Sequence, residues 1–393
     1  MTLEVYLSNC MIRNKFMKIL QISFHTAPFT DLGNNDSGGM SIYIEEITKL
    51  ISNSNQVHVL TGEKREDFQK TNLIFKSFNL FDASESMDAK EGYLDQFIND
   101  LTSYVEKEKF DVIHAHYWLS GLAAKAISKQ FKIPFAFTAH SLGVFRPGYN
   151  KERTDCEKII MNSANIVSAS SEYEKELIIN SYGIDNLKIK YVSPGVNQEM
   201  FSIDNEIKRE NIFLSIGRVQ SQKGQMETIK FLNSFRKVEN DFKCFFIGGP
   251  SGSSGEEYFK ELTDMINSCN LEDNVEFIGS LSQQSICTYL NKAKLLIHTS
   301  QFETFGLVAL EANAMGVPVL TTNLGSLKEI VEHKKNGFIA EDIKNIDSIN
   351  FVKQLIQDEN FFTDFSKRSI RKASNFSWEN TAAKFVDEYV SIS

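Results

Sequence analysis

The chain runs to 393 residues, which is enough for two domains and too long for a peptide or a disulfide-stapled module. With 42% hydrophobic, 24% charged and 11% aromatic residues, its composition is that of a globular protein, which excludes the disordered, collagenous and coiled-coil classes. Lys and Arg number 42 against 51 Asp and Glu; the net charge of -9 argues against a surface that tracks nucleic-acid phosphates, so any bound phosphate is held locally.

Residues 1–16 differ in character from the rest of the chain and read as an N-terminal extension. From Met17, short apolar runs alternate with amphipathic stretches: KILQISF, a helix from Met40, QVHVLTG, a long polar stretch, DVIHAHY, a second helix, IPFAFTAH, ANIVSASS and IKYVSPGV. Strands alternating with helices predict a parallel, doubly wound sheet. Pro194-Gly195 and the polar stretch 204–210 interrupt the pattern, which restarts at NIFLSIGR and continues through FKCFFIGG, NVEFIGS, AKLLIHTS, VPVLTT and GFIA. The expectation is an α/β chain of two Rossmann-like domains, 17–195 and 208–376, facing a central crevice at the carboxyl ends of their strands. Helical apolar spacing from Trp378 suggests that the tail, 377–393, crosses back to brace the first domain. The five cysteines form no CxxC pair and read as reduced thiols. No apolar run approaches the ~18 residues of a membrane span and no signal-peptide core is evident, so a cytoplasmic location without a transmembrane segment is expected.

Asp36 to Tyr43 (DSGGMSIY) follows a strand and opens a helix with Met40, Tyr43, Ile47 and Leu50 at helical spacing. Its paired glycines, Gly38 and Gly39, let backbone amides approach an anion, although a plain tight turn fits equally. Gly33 is misplaced for GxGxxG and no third glycine enters the helix, which weakens a nicotinamide reading. His114 and His116 share one strand face; without a third ligand in view, a buried structural histidine and an orienting one are favoured over a metal pair. His140 and Ser141 end the next strand. Gly217-Arg218 ends a strand and Lys223-Gly224 opens the following helix, giving a planar fork and a point charge suited to a diphosphate. GGPSGSSG (248–255) lacks the Gly-Lys-Ser/Thr of a nucleotide hydrolase. In SQFETFGLVALE (300–311), a helix beginning near Gly306 would leave the amides of Phe305, Gly306 and Leu307 as first-turn donors, with Glu311 one to two turns inside. One carboxylate can then meet sugar hydroxyls at the helix mouth while the other accepts from a ribose diol; the alternative is two acids that only complement the helix dipole.

DSGGMSIY, HAHYWLSG, TAHSLG, the Gly-Arg and Lys-Gly pairs, GGPSGSSG and ETFGLVALE together resemble the retaining family-4 glycosyltransferases of GT-B architecture, over nearly the whole chain from Met17. Within them the blocks look most like the branch that contains sucrose-phosphate synthase, the D-inositol-3-phosphate N-acetylglucosaminyltransferase and the aminocyclitol glycosyltransferases. The resemblance implies transfer of a hexose or N-acetylhexosamine from a UDP-sugar, UDP-N-acetylglucosamine favoured, to a small polyol, cyclitol or sugar phosphate. It makes 17–195 the acceptor domain and 208–376 the nucleotide-sugar domain. Gly39 would contact the donor phosphate, and Arg218 and Lys223 would neutralise the diphosphate. Glu303 and the Phe305, Gly306 and Leu307 amides would hold the sugar, and Glu311 the ribose. His140 would line the reacting face, and Tyr117, Ser141 and Arg153 would meet the acceptor. His140, Glu303, Arg218 and Lys223 are the catalytic candidates. The family uses cations and helix N-termini where others use a metal, so no metal or other cofactor is expected, and the sequence has no Asp-x-Asp. Ser41, Ser141, Thr304 and Gly325-Ser326 depart from the pattern and bear on the sugar and acceptor. A GT-B nucleotide-sugar epimerase, or a transferase using UDP-glucose or GDP-mannose on a glycan or lipid, stands as the alternative. The expected partners are a nucleotide sugar and a small acceptor, not nucleic acid, and oligomeric state is left open.

Overall fold

The computed structural model describes residues 16–29, 38–145, 151–204, 206–252, 254–323 and 325–393; the extension up to residue 15 and Gly33, Asp36 and Ser37 of the first motif region lie outside them. The chain divides into two compact units. One holds the described residues up to Pro194 together with Trp378–Ser393, the other Gly195–Ser377.

The first unit is an eight-stranded sheet built from β1 (Lys18–Ile22), β2 (Gln56–Glu63), β3 (Phe68–Lys70), β4 (Leu73–Phe81), β5 (Val112–His116), β6 (Phe135–Thr138), β7 (Ile166–Ala169) and β8 (Ile189–Tyr191), in the order β3-β4-β2-β1-β5-β6-β7-β8. Every pairing is parallel except β3 on β4. The central strands are buried along their length, which is why they read as unbroken apolar runs. Helices α1 (Gly39–Ile51), α2 (Met87–Glu91), α3 (Leu94–Lys107), α4 (Trp118–Phe131), α5 (Lys151–Ser163) and α6 (Glu172–Leu177) complete this part of the chain.

Two sequence expectations are corrected here. The polar stretch after β2 contains an edge hairpin, β3 and β4, because in LIFKSFNLF the residues Leu73, Phe75, Ser77 and Phe81 turn inward while Lys76 and Asn79 supply the polarity. The buried face of α1 is Tyr43, Ile44, Ile47 and Ile51, with Met40 and Leu50 only partly covered. The C-terminal helix, Trp378–Ile392, accounts for that rotation: Trp378 and Phe385 meet the Tyr43 ring edge-on at 5.4 and 6.3 Å.

The second unit contains β9 (Ile212–Ile216), β10 (Lys243–Ile247), β11 (Val275–Gly279), β12 (Leu295–His298), β13 (Val319–Thr322) and β14 (Gly337–Ala340), all parallel, in the order β11-β10-β9-β12-β13-β14. Its helices are α7 (Gln225–Phe235), α8 (Gly255–Ser268), α9 (Gln283–Lys292), α10 (Leu307–Ala314), α11 (Ile346–Gln357) and α12 (Glu359–Ala373). Phenylalanine packs one face of the sheet, with Phe213 stacked on Phe242 at 5.3 Å and Phe231 on Phe235 at 5.8 Å. This is the doubly wound dinucleotide-binding order, whose reversal between β9 and β12 opens a ligand position at their carboxyl ends. The first sheet reverses likewise between β1 and β5. Among the described residues no helix is long and apolar enough to cross a membrane.

Candidate active site

In the second unit the predicted residues converge on the reversal between β9 and β12. Gly217 and Arg218 leave β9, and the loop to α7 is fastened to the chain leaving β12. Thr299 Oγ1 donates to the Gly224 carbonyl at 2.8 Å and the Gln301 amide donates to that of Gln222 at 2.7 Å. Gly224 has φ 71°, and a Cβ there would stand 2.0 Å from the Thr299 carbonyl oxygen, so only glycine permits the approach. The fastening brings Lys223 to Glu303: Nζ lies 2.7 Å from Oε1, and His298 Nε2, at the end of β12, lies 3.3 Å from the same oxygen. Burial alone would raise the Glu303 carboxyl, but Lys223 and His298 outweigh it and hold the acid well below its ordinary value. Glu303 is therefore an ion-paired carboxylate rather than a dipole complement alone. Ser326, one of the departures from the family pattern, donates through Oγ to the Glu303 carbonyl at 2.7 Å.

Immediately after it, Phe305 is buried against Phe376 at 5.6 Å between centroids. Gly306 turns the chain at φ 103°, where a Cβ would strike Leu327 Cδ2 at 2.4 Å, and α10 starts at Leu307. The amides of an opening turn have no acceptor within their own helix. Glu311 lies in the next turn of α10, 7% exposed, and accepts from Gln283 Nε2 at 3.2 Å. Burial pushes its carboxyl up to about 8, only partly opposed by Gln283. Sequence reasoning passed over His298 and Gln283. His298 was detectable, since it ends its strand as His116 and His140 end theirs; Gln283, on α9, carried no signal.

In the first unit, Gly39 begins α1 behind the cap residue Gly38, and Ser41 is buried within the same first turn, with no hydrogen-bond partner for its Oγ among the described residues. The two histidines of β5 take different partners. His114 Nδ1 and Nε2 meet Tyr389 Oη at 2.6 Å and Thr138 Oγ1 at 2.8 Å, which makes it a tie between β5, β6 and the C-terminal helix. His116 Nδ1 lies 3.0 Å from His140 Nε2. His140 holds φ 57° and Tyr117 φ 77°, left-handed conformations that cost non-glycine residues of order 1 kcal/mol or more and concentrate at functional sites.

Burial keeps His114 and His140 neutral down to about 3, and burial together with His114 and His140 lowers His116 well below the histidine range. Below 6.5 the unfolded chain binds protons that the folded imidazoles refuse, so stability present above 6.5 is lost as the pH falls towards 3. For His114, fully buried, the loss at pH 5 is roughly 2 kcal/mol. Urea unfolding at pH 5.0 and 7.5 should show it, and a His114→Gln variant should have a shallower pH slope; an equal slope would remove His114 as the cause.

Tyr117, Ser141 and Arg153 are brought together. Arg153, 3% exposed, donates to Tyr117 Oη at 3.2 Å, to the Ser141 carbonyl at 2.8 Å and to Ser141 Oγ at 3.0 Å. Its Nε is paired with Glu157 Oε1 at 2.7 Å, and the Glu157 carboxylate also accepts from the Gly143 amide at 2.9 Å and from Tyr182 Oη. Sequence reasoning missed Glu157, although its i, i+4 spacing from Arg153 advertised a pair. It also missed Lys90, 1% exposed, whose ammonium donates to the His25 and Ala83 carbonyls at 3.2 and 2.8 Å, while the His25 ring lies 4.3 Å from that of Tyr117.

Known proteins share both domains. Residues 37–200 match the Glycosyltransferase Family 4 domain, and residues 196–372 match the Glycosyl transferases group 1 domain. The D-inositol 3-phosphate glycosyltransferase of Corynebacterium urealyticum is 28% identical, covering 96% of both chains, and that of Corynebacterium glutamicum is 25% identical, covering 95% of this chain and 96% of its own. Sucrose-phosphate synthase from Thermosynechococcus elongatus superposes with a TM-score of 0.85 at 23% identity, over 95% of this chain and 98% of that one. Anabaena HepE, solved with UDP and glucose, gives 0.75 at 19% identity over 95% and 99%.

Proposed function

Because the chain belongs to the GT-B glycosyltransferases and is a hexosyltransferase, we propose that it moves a hexose or N-acetylhexosamine from a UDP-sugar, with UDP-N-acetylglucosamine the favoured donor, to a small phosphorylated cyclitol or sugar. The observation that carries this reading is the grouping of Arg218, Lys223, Glu303, the first turn of α10 and Glu311 at one sheet reversal. A nucleoside diphosphate sugar needs those groups in that sequence: cations for the diphosphate, a carboxylate and amides for the sugar, and a second carboxylate for the ribose diol.

The chemistry is to stabilise an oxocarbenium-like centre and a departing diphosphate, so charge aimed at the leaving group does most of the work. Arg218, Lys223 and the α10 amides are the groups available for that. The acceptor hydroxyl attacks on the face that the diphosphate leaves and gives its proton to the leaving phosphate oxygen, which requires no enzyme nucleophile. Gly39 contacts the donor phosphate, and His140 lines the reacting face. At the acceptor, Arg153, paired with Glu157, also donates to Tyr117 Oη and to Ser141 Oγ, and this cluster supports a phosphate on the acceptor. The relatives named for D-inositol 3-phosphate are consistent with it.

The test is nucleotide release from UDP-N-acetylglucosamine, UDP-glucose and GDP-mannose, each offered inositol phosphate, 2-deoxystreptamine or fructose 6-phosphate, with EDTA throughout. UDP release with UDP-N-acetylglucosamine and a phosphorylated acceptor is expected. Activity that appears only on adding magnesium would overturn the metal-free leaving group. A change in the donor without any acceptor would establish an epimerase.

A further inference from the structure

His298 ends β12 at 6% exposure, and its buried Nε2 completes no well-aligned hydrogen bond among the described residues, although it stands close enough to Glu303 to act on its carboxylate. Buried polar nitrogens are almost always bonded, so an orphan points to a partner engaged in another state of the site. That partner is in view. Nε2 lies 3.3 Å from Glu303 Oε1, the oxygen already taken by Lys223 Nζ at 2.7 Å. On the reading above, the donor diphosphate competes with Glu303 for the Lys223 ammonium, and a turn of Lys223 towards it would leave the buried carboxylate with His298 as its neighbouring donor. A stranded carboxylate is driven towards protonation and loses the charge that makes it a strong acceptor for sugar hydroxyls.

We propose that His298 is a positioning residue: when Lys223 turns to the donor diphosphate, Glu303 Oε1 accepts from His298 Nε2–H, which leaves Oε2 directed to the donor sugar. This rests on the proposed diphosphate role of Lys223. The imidazole is held on a strand end inside the sheet, so it offers the donor without the rotamer freedom of a lysine.

The experiment compares His298→Leu and His298→Gln with wild type, measuring kcat, KM for UDP-N-acetylglucosamine and Kd for UDP. In His298→Leu, kcat/KM for the nucleotide sugar should fall about 10- to 100-fold, the range for a hydrogen bond to a charged group, while UDP, which has no sugar, binds within about twofold of wild type. His298→Gln, which keeps an N–H donor, should recover most of the loss. Unchanged kinetics in His298→Leu, a matching loss of UDP affinity, or a folded glutamine variant no better than leucine would each overturn the proposal. Should the leucine variant not fold, histidine-selective NMR of the wild type decides: saturation with UDP should shift His298 Nε2–H to a carboxylate-bonded position, and an unmoved resonance overturns the proposal. Failure of UDP to bind, or equal UDP affinity in Lys223→Met, would instead sink the diphosphate reading, and the role of His298 with it.

Discussion

Lys223→Met is expected to slow transfer by about 10²- to 10³-fold, the 3–4 kcal/mol that a preorganised leaving-group donor is worth. A second effect accompanies it. Lys223 and Glu303 are 25% and 15% exposed, so the pair is largely dehydrated and removing the cation leaves the carboxylate with only His298 to oppose its burial. The loss in stability should be about 2–3 kcal/mol, below the range for a fully enclosed pair because some water reaches both groups. The double variant Lys223→Met/Glu303→Gln separates the two effects: it should recover most of the unfolding free energy and none of the rate. If the single variant kept its rate, Lys223 would be only a structural partner of Glu303. Recovery of rate in the double variant would show that the defect lay in the stranded carboxylate.

How much of the fold and site was legible beforehand depended on where each signal resides. Both parallel sheets were readable because VIHAH, FAFT and LLIH are buried on both faces, so each appears as a short apolar run that stops at a polar residue. The residues at or just past such stops, His116, His140 and, after IFLSI, Arg218, are where doubly wound sheets expose ligand-binding groups. The edge hairpin was not readable, because a strand with one wet face interleaves Lys76 and Asn79 with its apolar positions and imitates a loop. Lys90 was invisible for a different reason. Lysine is ordinarily solvated, and what buries this one is a pair of carbonyls contributed by His25 and Ala83, a tertiary fact that no local pattern encodes. Glu303 and Glu311 were recognised as a pair, yet their opposite electrostatic states were not foreseeable. One is beside a lysine supplied by a loop 80 residues away, the other beside a neutral glutamine.

That contrast makes Glu311→Gln expected to strengthen the fold while it weakens nucleotide binding. In the folded chain burial holds the Glu311 carboxyl up at about 8, against an ordinary 4.5. The folded state therefore keeps a proton that the unfolded chain releases, and stability present below 4.5 is lost as the pH rises towards 8. At pH 7.5 that loss is roughly 3–4 kcal/mol, and a neutral glutamine, still able to accept from Gln283, escapes it. At about 2–4 °C per kcal/mol for a domain of this size, Tm of the variant should rise several degrees at pH 7.5 and hardly at all at pH 4.5. UDP affinity should move the other way. A carboxylate accepting from the ribose diol gains about 1.5–3 kcal/mol over a neutral amide, so the variant should bind UDP about 10- to 100-fold more weakly at pH 8. Wild-type affinity should also climb as the pH rises from 6 to 8, by up to about tenfold per unit as binding releases the proton, while the variant stays flat. Calorimetry across that range checks both curves. A flat wild type, or a variant that binds UDP as tightly, would remove Glu311 from the nucleotide site, and a variant that is less stable at pH 7.5 would show that the carboxyl is ionised in the resting fold.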